Sequence, residues 1–74
     1  MSDRVYNSVR KFRKEAGLTQ EYFAEAMGVS RQTINSIERG KYIPSLPLAL
    51  KIAAFFKCSV NEMFSLEEVE RDAR

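Results

Sequence analysis

Arg31, Gln32, Thr33, Asn35 and Ser36 place donors and acceptors on successive turns of one short segment, with no acidic residue from 31 to 36. Arginine donates two hydrogen bonds to guanine, and glutamine or asparagine pairs with adenine in the same bidentate way. Thr33 and Ser36 are small enough to let a backbone approach a groove closely. Ile34 and Ile37, three positions apart, turn the remaining face inward. A solvated helix face without a partner usually carries Glu and Lys, so this acid-free face favours a polyanion. Arg31, Gln32, Asn35 and Ser36 are the candidate base-contacting residues.

Groups suited to holding phosphates surround that segment. Thr19 and Gln20 open the preceding helical pattern, where free amides and the helix dipole favour an anion. Arg39, Lys41 and Tyr42 follow the reading segment into a loop, Thr33 joins the phosphate-contacting set, and Arg10 can add charge from upstream. The net charge is only +2. Its distribution is more telling: residues 1–41 hold eight Lys/Arg against five Asp/Glu, and residues 42–74 hold four against five. The half that carries the reading segment is the basic half, as phosphate contact requires.

Other chemistries have little to work with. One cysteine and no histidine exclude most metal sites and every histidine-based catalytic arrangement. No glycine-rich phosphate loop or clustered carboxylate pair appears outside the surface, so neither an enzyme nor a cofactor is expected. Cys58 has no internal disulfide partner. It follows Phe55 and Phe56 and reads as a small buried hydrophobe rather than a redox group. No signal-peptide pattern and no membrane-length apolar run is visible, which makes the cytoplasm the expected location.

Seventy-four residues suit one domain, spanning 1–74 with a core over 7–66 and a charged tail over 67–74. Gly17, Gly28 and Gly40 each close a helical pattern, and Thr19, Ser30, Ser45 and Ser59 each precede one. Ser59 and Glu62 have capping-box spacing. This punctuation predicts five helices, at about 8–16, 20–27, 31–39, 46–56 and 60–64. Val9, Phe12, Leu18, Phe23, Ala24, Met27, Val29, Ile34 and Ile37 are expected to face inward. So are Ala49, Ile52, Ala53 and Phe56, and Pro47 sits in a first turn, where its missing N–H costs nothing. Arg4-Val5-Tyr6 and Phe64-Ser65-Leu66 can pair as a small antiparallel ribbon.

The fourth helix carries more apolar surface than one face can bury in a chain this short, which buries only ~60% of its unfolded surface. Leu46, Leu50, Phe55, Phe64 and Leu66 are the candidate dimer-interface residues. A central helix buried within a monomer is the competing reading.

These residues together resemble the Cro/C1-type helix-turn-helix family, the xenobiotic-response-element-like regulators. The likeness runs through residues 9–13, Gly17-Leu18-Thr19-Gln20, Phe23-Ala24, Gly28-Val29-Ser30, Thr33-Ile34, Ile37-Glu38, Gly40-Lys41 and Pro44-Ser45, and covers roughly residues 7–66. It implies an all-α, five-helix, lambda-repressor-like DNA-binding domain, with a small terminal sheet in the short, domain-only subgroup. It also implies a backbone contact for Gln20, base reading by Arg31, Gln32 and Ser36 with Asn35 nearby, and a phosphate contact for Lys41. Arg13 and Glu38 match a buried ion pair that holds the first helix against the third. Tyr22 departs from the pattern, since members often carry Glu there as a capping partner for Thr19.

The expected function is a sequence-specific, dimeric transcriptional repressor on a palindromic double-stranded operator, its half-sites ~34 Å apart. A protein-interaction module of the same fold, such as an antitoxin with residues 67–74 as its partner-binding segment, is the alternative from another class.

Overall fold

The caps written into the sequence set most of the helix boundaries. In a computed structural model that describes residues 4–66, the elements run β1 Tyr6–Asn7, α1 Val9–Glu15, α2 Gln20–Met27, α3 Arg31–Glu38, α4 Leu46–Phe55, α5 Val60–Met63 and β2 Phe64–Ser65. The expected tail over 67–74 lies outside the described residues. Thr19, Ser30, Ser45 and Ser59 each accept, through the side-chain oxygen, the backbone N–H three residues on. This satisfies an amide that a helix start otherwise leaves open. Ser59 and Glu62 complete the reciprocal box, with Ser59 N–H donating to Glu62 Oε1 at 2.8 Å.

Helix α1 begins differently. The Ser8 hydroxyl makes no capping bond, and Asn7 Oδ1 accepts the Val9 N–H at 3.0 Å instead. Between α2 and α3 the chain turns at Gly28, whose φ of 77° lies in the left-handed region. Its N–H bonds back to the end of α2, which keeps the connection to residues 28–30 and fixes the angle between the helices.

Every helix contributes to one core: Val9 from α1, Phe23, Ala24 and Met27 from α2, Ile34 and Ile37 from α3, Ile52 and Ala53 from α4, and Met63 from α5. Phe12, Val29 and Phe56 are half-buried against it, and Leu18 and Ala49 are also half-buried. Phe23 meets Phe55 and Phe56 with ring centroids 5.3 and 5.2 Å apart, and Phe12 meets Phe56 at 5.6 Å. Tilted contacts at these separations are favourable beyond the area they bury.

The structure corrects several expectations. Helices α1, α3, α4 and α5 are shorter by one or two residues than the sequence pattern suggested, because Ser8, Ala16, Arg39, Phe56 and Phe64 serve as caps. The expected ribbon forms but is narrower and includes Asn7: Tyr6 pairs with Ser65 and Asn7 with Phe64, leaving Arg4, Val5 and Leu66 outside it. The Asn7 side chain is engaged at both ends with helical backbone, which holds this strand in place. Met63, absent from the expected core, is 1% exposed. Cys58 is half-buried rather than buried, and packs against the core edge.

Candidate nucleic-acid interface

Helix α3 is held on its inner side by Ile34 and Ile37, both fully buried, and beneath its last turn by Glu38. Arg13 from α1 donates to Glu38 Oε2 through Nε at 2.7 Å and to Oε1 through Nη2 at 3.1 Å. Its Nη1 donates to the Leu18 carbonyl at 2.7 Å, so one guanidinium ties α1, the following turn and α3 together. The hydrogen bond to Glu38 holds the Arg13 pKa above its ordinary value, with burial opposing and Coulomb attraction to Glu38 adding to the rise. Arg13 is therefore charged at every accessible pH, and Glu38 presents no uncompensated negative charge beneath the reading face.

Gln20, the first residue of α2, spends both hydrogens of its amide on α3: Nε2 donates to Glu38 Oε1 at 3.0 Å and to Asn35 Oδ1 at 3.2 Å. The side chain braces the two helices against each other. What α2 offers an anion is its first-turn backbone N–H groups at Gln20 and Glu21, because Thr19 already caps the N–H of Tyr22. Tyr22, at the position where Glu would close a box, is 58% exposed, and the Thr19 half of the cap forms without it.

The outer face of α3 carries Arg31 and Gln32, both exposed, with Thr33, Asn35 and Ser36 half-buried beside them. Gln32, Thr33 and Ser36 share a hollow of about 280 Å³ with Ser30 and Tyr42, which brings the loop aromatic against the reading helix. Thr33 Oγ1 lies 3.0 Å from Ser30 Oγ, so its hydroxyl is part of the helix start. Asn35 keeps both amide hydrogens, while its oxygen receives Gln20. Arg39 and Lys41 are exposed past the end of α3, and Arg10 lines a second hollow with Arg13, Gln20, Asn35, Glu38 and Arg39.

The apolar residues of α4 divide between two sides. Leu46 and Leu50, one turn apart, are 67% and 51% exposed, and Ile43 beside them is 57% exposed. Leu46 and Phe64 line one apolar groove of about 270 Å³ with Val5, Ile43, Pro44, Ala49 and Val60. Phe55, at the far end of α4, is turned about 180° around the helix axis from Leu46. It packs on Phe23, so the structure does not bring it together with the groove. Leu66 follows β2 and is exposed.

Two residues that tie this arrangement together were not foreseen. Asn7 Nδ2 donates to the Ile37 carbonyl at 2.9 Å, fastening the ribbon to the last turn of α3. Lys51 Nζ donates to the Met27 carbonyl at 3.0 Å, joining α4 to the end of α2, where the helix dipole favours a cation. Lys51 is the only charge between residues 46 and 56, and that anomaly is a legible signal.

Two helices joined by a tight glycine turn, the second with a polar acid-free outer face, define a helix-turn-helix DNA-binding domain. A family described as Helix-turn-helix matches residues 9–63. An HTH-type transcriptional regulator from Methanocaldococcus jannaschii is 50% identical, covering 86% of this chain and 97% of its own length. The regulator YgzD of Bacillus subtilis is 47% identical over 84% of this chain and 94% of its own. Among solved structures, the restriction-modification controller protein C.AhdI from Aeromonas hydrophila superimposes with a TM-score of 0.66 at 33% identity, covering 73% of this chain and 78% of that one. The chain belongs to the Cro/C1-type helix-turn-helix family, and it is a non-enzymatic DNA-binding transcriptional regulator. No helix among the described residues is long and apolar enough to cross a membrane.

Proposed function

We propose that this regulator is a cytoplasmic homodimeric repressor that reads a palindromic operator, one α3 helix per half-site. Arg31, Gln32, Asn35 and Ser36 contact base edges. Phosphates are held by the first-turn amides of α2 next to Thr19 and Gln20, and by Thr33, Arg39, Lys41 and Tyr42. Repression follows from occupancy: a protein seated on a promoter excludes other proteins from the same duplex.

The observation that carries the reading is a division of labour across the surface. The outer face of α3 is polar and free of acid, and the Leu46–Leu50 side of α4 exposes large apolar groups beside the terminal ribbon. The first suits a DNA groove. The second suits a copy of itself, because a two-fold axis lets one apolar patch bury another identical one. With α4 tied to α2 through Lys51, and the ribbon tied to α3 through Asn7, such a pair holds its two reading helices at a fixed separation.

Selection of bound sites from a random duplex pool tests this directly, together with sedimentation of the free protein and of its complex. A palindrome with half-sites ~34 Å apart and two protomers per duplex is expected. Recovery of a single unrepeated site bound by one protomer would overturn the dimeric reading. A stable heteromeric complex on purification, with no selected sequence, would overturn the repressor reading.

A further inference from the structure

We infer that Arg4, outside the helix-turn-helix, is a DNA-backbone contact that extends the footprint of α3 past its C-terminal end. The inference rests on the reading that α3 faces duplex DNA. Its starting point is the two-ended clamp at Asn7. With Nδ2 on the Ile37 carbonyl at 2.9 Å and Oδ1 receiving the Val9 N–H, Asn7 fixes the chain immediately before α1 against the last turn of α3. The N–H of Ser8 donates to the Met63 carbonyl at 2.9 Å and holds the same stretch from the other side. Arg4, three residues upstream, is consequently placed beside the end of α3 rather than at an arbitrary point on the surface.

Its side chain is placed as well. The Arg4 guanidinium carbon lies 5.1 Å from the centroid of the Tyr6 ring, within the range of a cation–π contact. Such a contact orients the group while leaving its N–H donors free at the edge. Arg4 and Arg39 line one hollow of about 340 Å³ with Asn7, Ser8 and Gly40, and Arg39 and Arg10 line the next hollow along with Asn35. Three exposed guanidinium groups thus form a ridge continuous with the reading helix.

The carboxylate common to both hollows is Glu38, already engaged by Arg13 and Gln20. Arg4, Arg10 and Arg39 make no ion pair among the described residues. A row of guanidinium groups with no ion pair among the described residues, beside a helix that enters a groove, fits the phosphodiester strand bordering that groove. It fits a neutral or cationic protein surface poorly.

The experiment compares the wild-type chain with Arg4→Ala and Arg4→Lys on the selected duplex, measuring affinity from 50 to 200 mM salt and ethylation interference at each phosphate. Each lost phosphate contact lowers the slope of log affinity against log salt by ~0.9, so a fourfold salt change alters the wild-type to Arg4→Ala ratio about threefold per protomer. The expected result is that reduced slope, unchanged base preference, loss of interference at one phosphate at the edge of the half-site, and near-restoration of the slope by Arg4→Lys. Equal slopes and equal interference patterns for wild type and Arg4→Ala would overturn the assignment, with DNA reading by α3 left intact. Failure of the wild-type chain to bind any duplex would instead overturn the DNA reading itself, and the assignment with it.

Discussion

Arg13 and Glu38 meet through two hydrogen bonds of 2.7 and 3.1 Å with little water access, their side chains 10% and 2% exposed. Removing the cation alone would strand a carboxylate that also receives Gln20. Arg13→Met is expected to destabilise the fold by ~3–5 kcal/mol, whereas Arg13→Met with Glu38→Leu should recover much of that loss. Urea denaturation of the two variants checks it. A single variant within 1 kcal/mol of wild type would show that water or a neighbouring group compensates the buried charge.

On the proposed reading, the face of α3 separates into groups that select sequence and groups that only hold. Gln32 is exposed on α3, and replacing it with alanine should cost ~1–3 kcal/mol at one base pair and relax its identity. Lys41, exposed past the helix, should weaken binding to all sequences alike when replaced by alanine and lower the salt slope by ~1. Competition binding against a panel of single-base operator variants distinguishes the two patterns. An unchanged preference in Gln32→Ala would remove that residue from the base readers.

What the sequence made legible follows the range of the forces involved. Helix α2 was readable to the residue at both ends, and α3 at its start, because Thr19, Gly28 and Ser30 act within three or four positions of themselves. The extent of the ribbon was not, because its first strand is held by Asn7 reaching Ile37 thirty residues away. Met63 escaped for a different reason: a four-residue helix is too short to show periodicity, and its burial depends on where the capping box points it. Within the candidate interface, residue types on α3 could be read directly. The diversion of the Gln20 amide onto Asn35 and Glu38 could not, since side-chain orientation between helices leaves no trace in spacing.

Lys57 closes α4 at φ 57°, the only described non-glycine residue with positive φ. A Cβ in the left-handed region costs ~1–2 kcal/mol, partly offset in glycine by the entropy it loses on folding. Lys57→Gly is therefore expected to stabilise the domain by up to ~1 kcal/mol, read as a raised urea midpoint at unchanged slope. Loss of stability would mean that the lysine chain makes a contact worth more than the strain.

Cys58 offers a pH-dependent check on packing. Burial raises its thiol pKa and the nearby Glu62 carboxylate adds to the rise, so the neutral thiol dominates at pH 7.5. Alkylation by iodoacetamide depends on the thiolate. The native chain should react more slowly than the same chain in urea, and the gap should narrow as pH rises through the native value. Equal rates at pH 7.5 would mean that the α4–α5 turn opens freely.

Leu46 and Leu50 project from α4 with more than half of each side chain in water, so charging them removes little from the monomer's own core. Exposed substitutions away from special contacts usually change stability by no more than ~0.5 kcal/mol. In a symmetric interface each substitution occurs twice, and two carboxylates facing across a dyad repel in a desolvated setting. Leu46→Glu with Leu50→Glu is therefore expected to leave the urea midpoint close to wild type while sedimentation shifts from dimer to monomer. Operator affinity should fall at the same time, because two tethered reading heads bind far better than either alone. The control is Phe55→Leu on the other side of α4, which should disturb stability through Phe23 and leave association intact. If Phe55→Leu dissociates the protein and the double glutamate variant does not, the two copies meet on the aromatic side of α4.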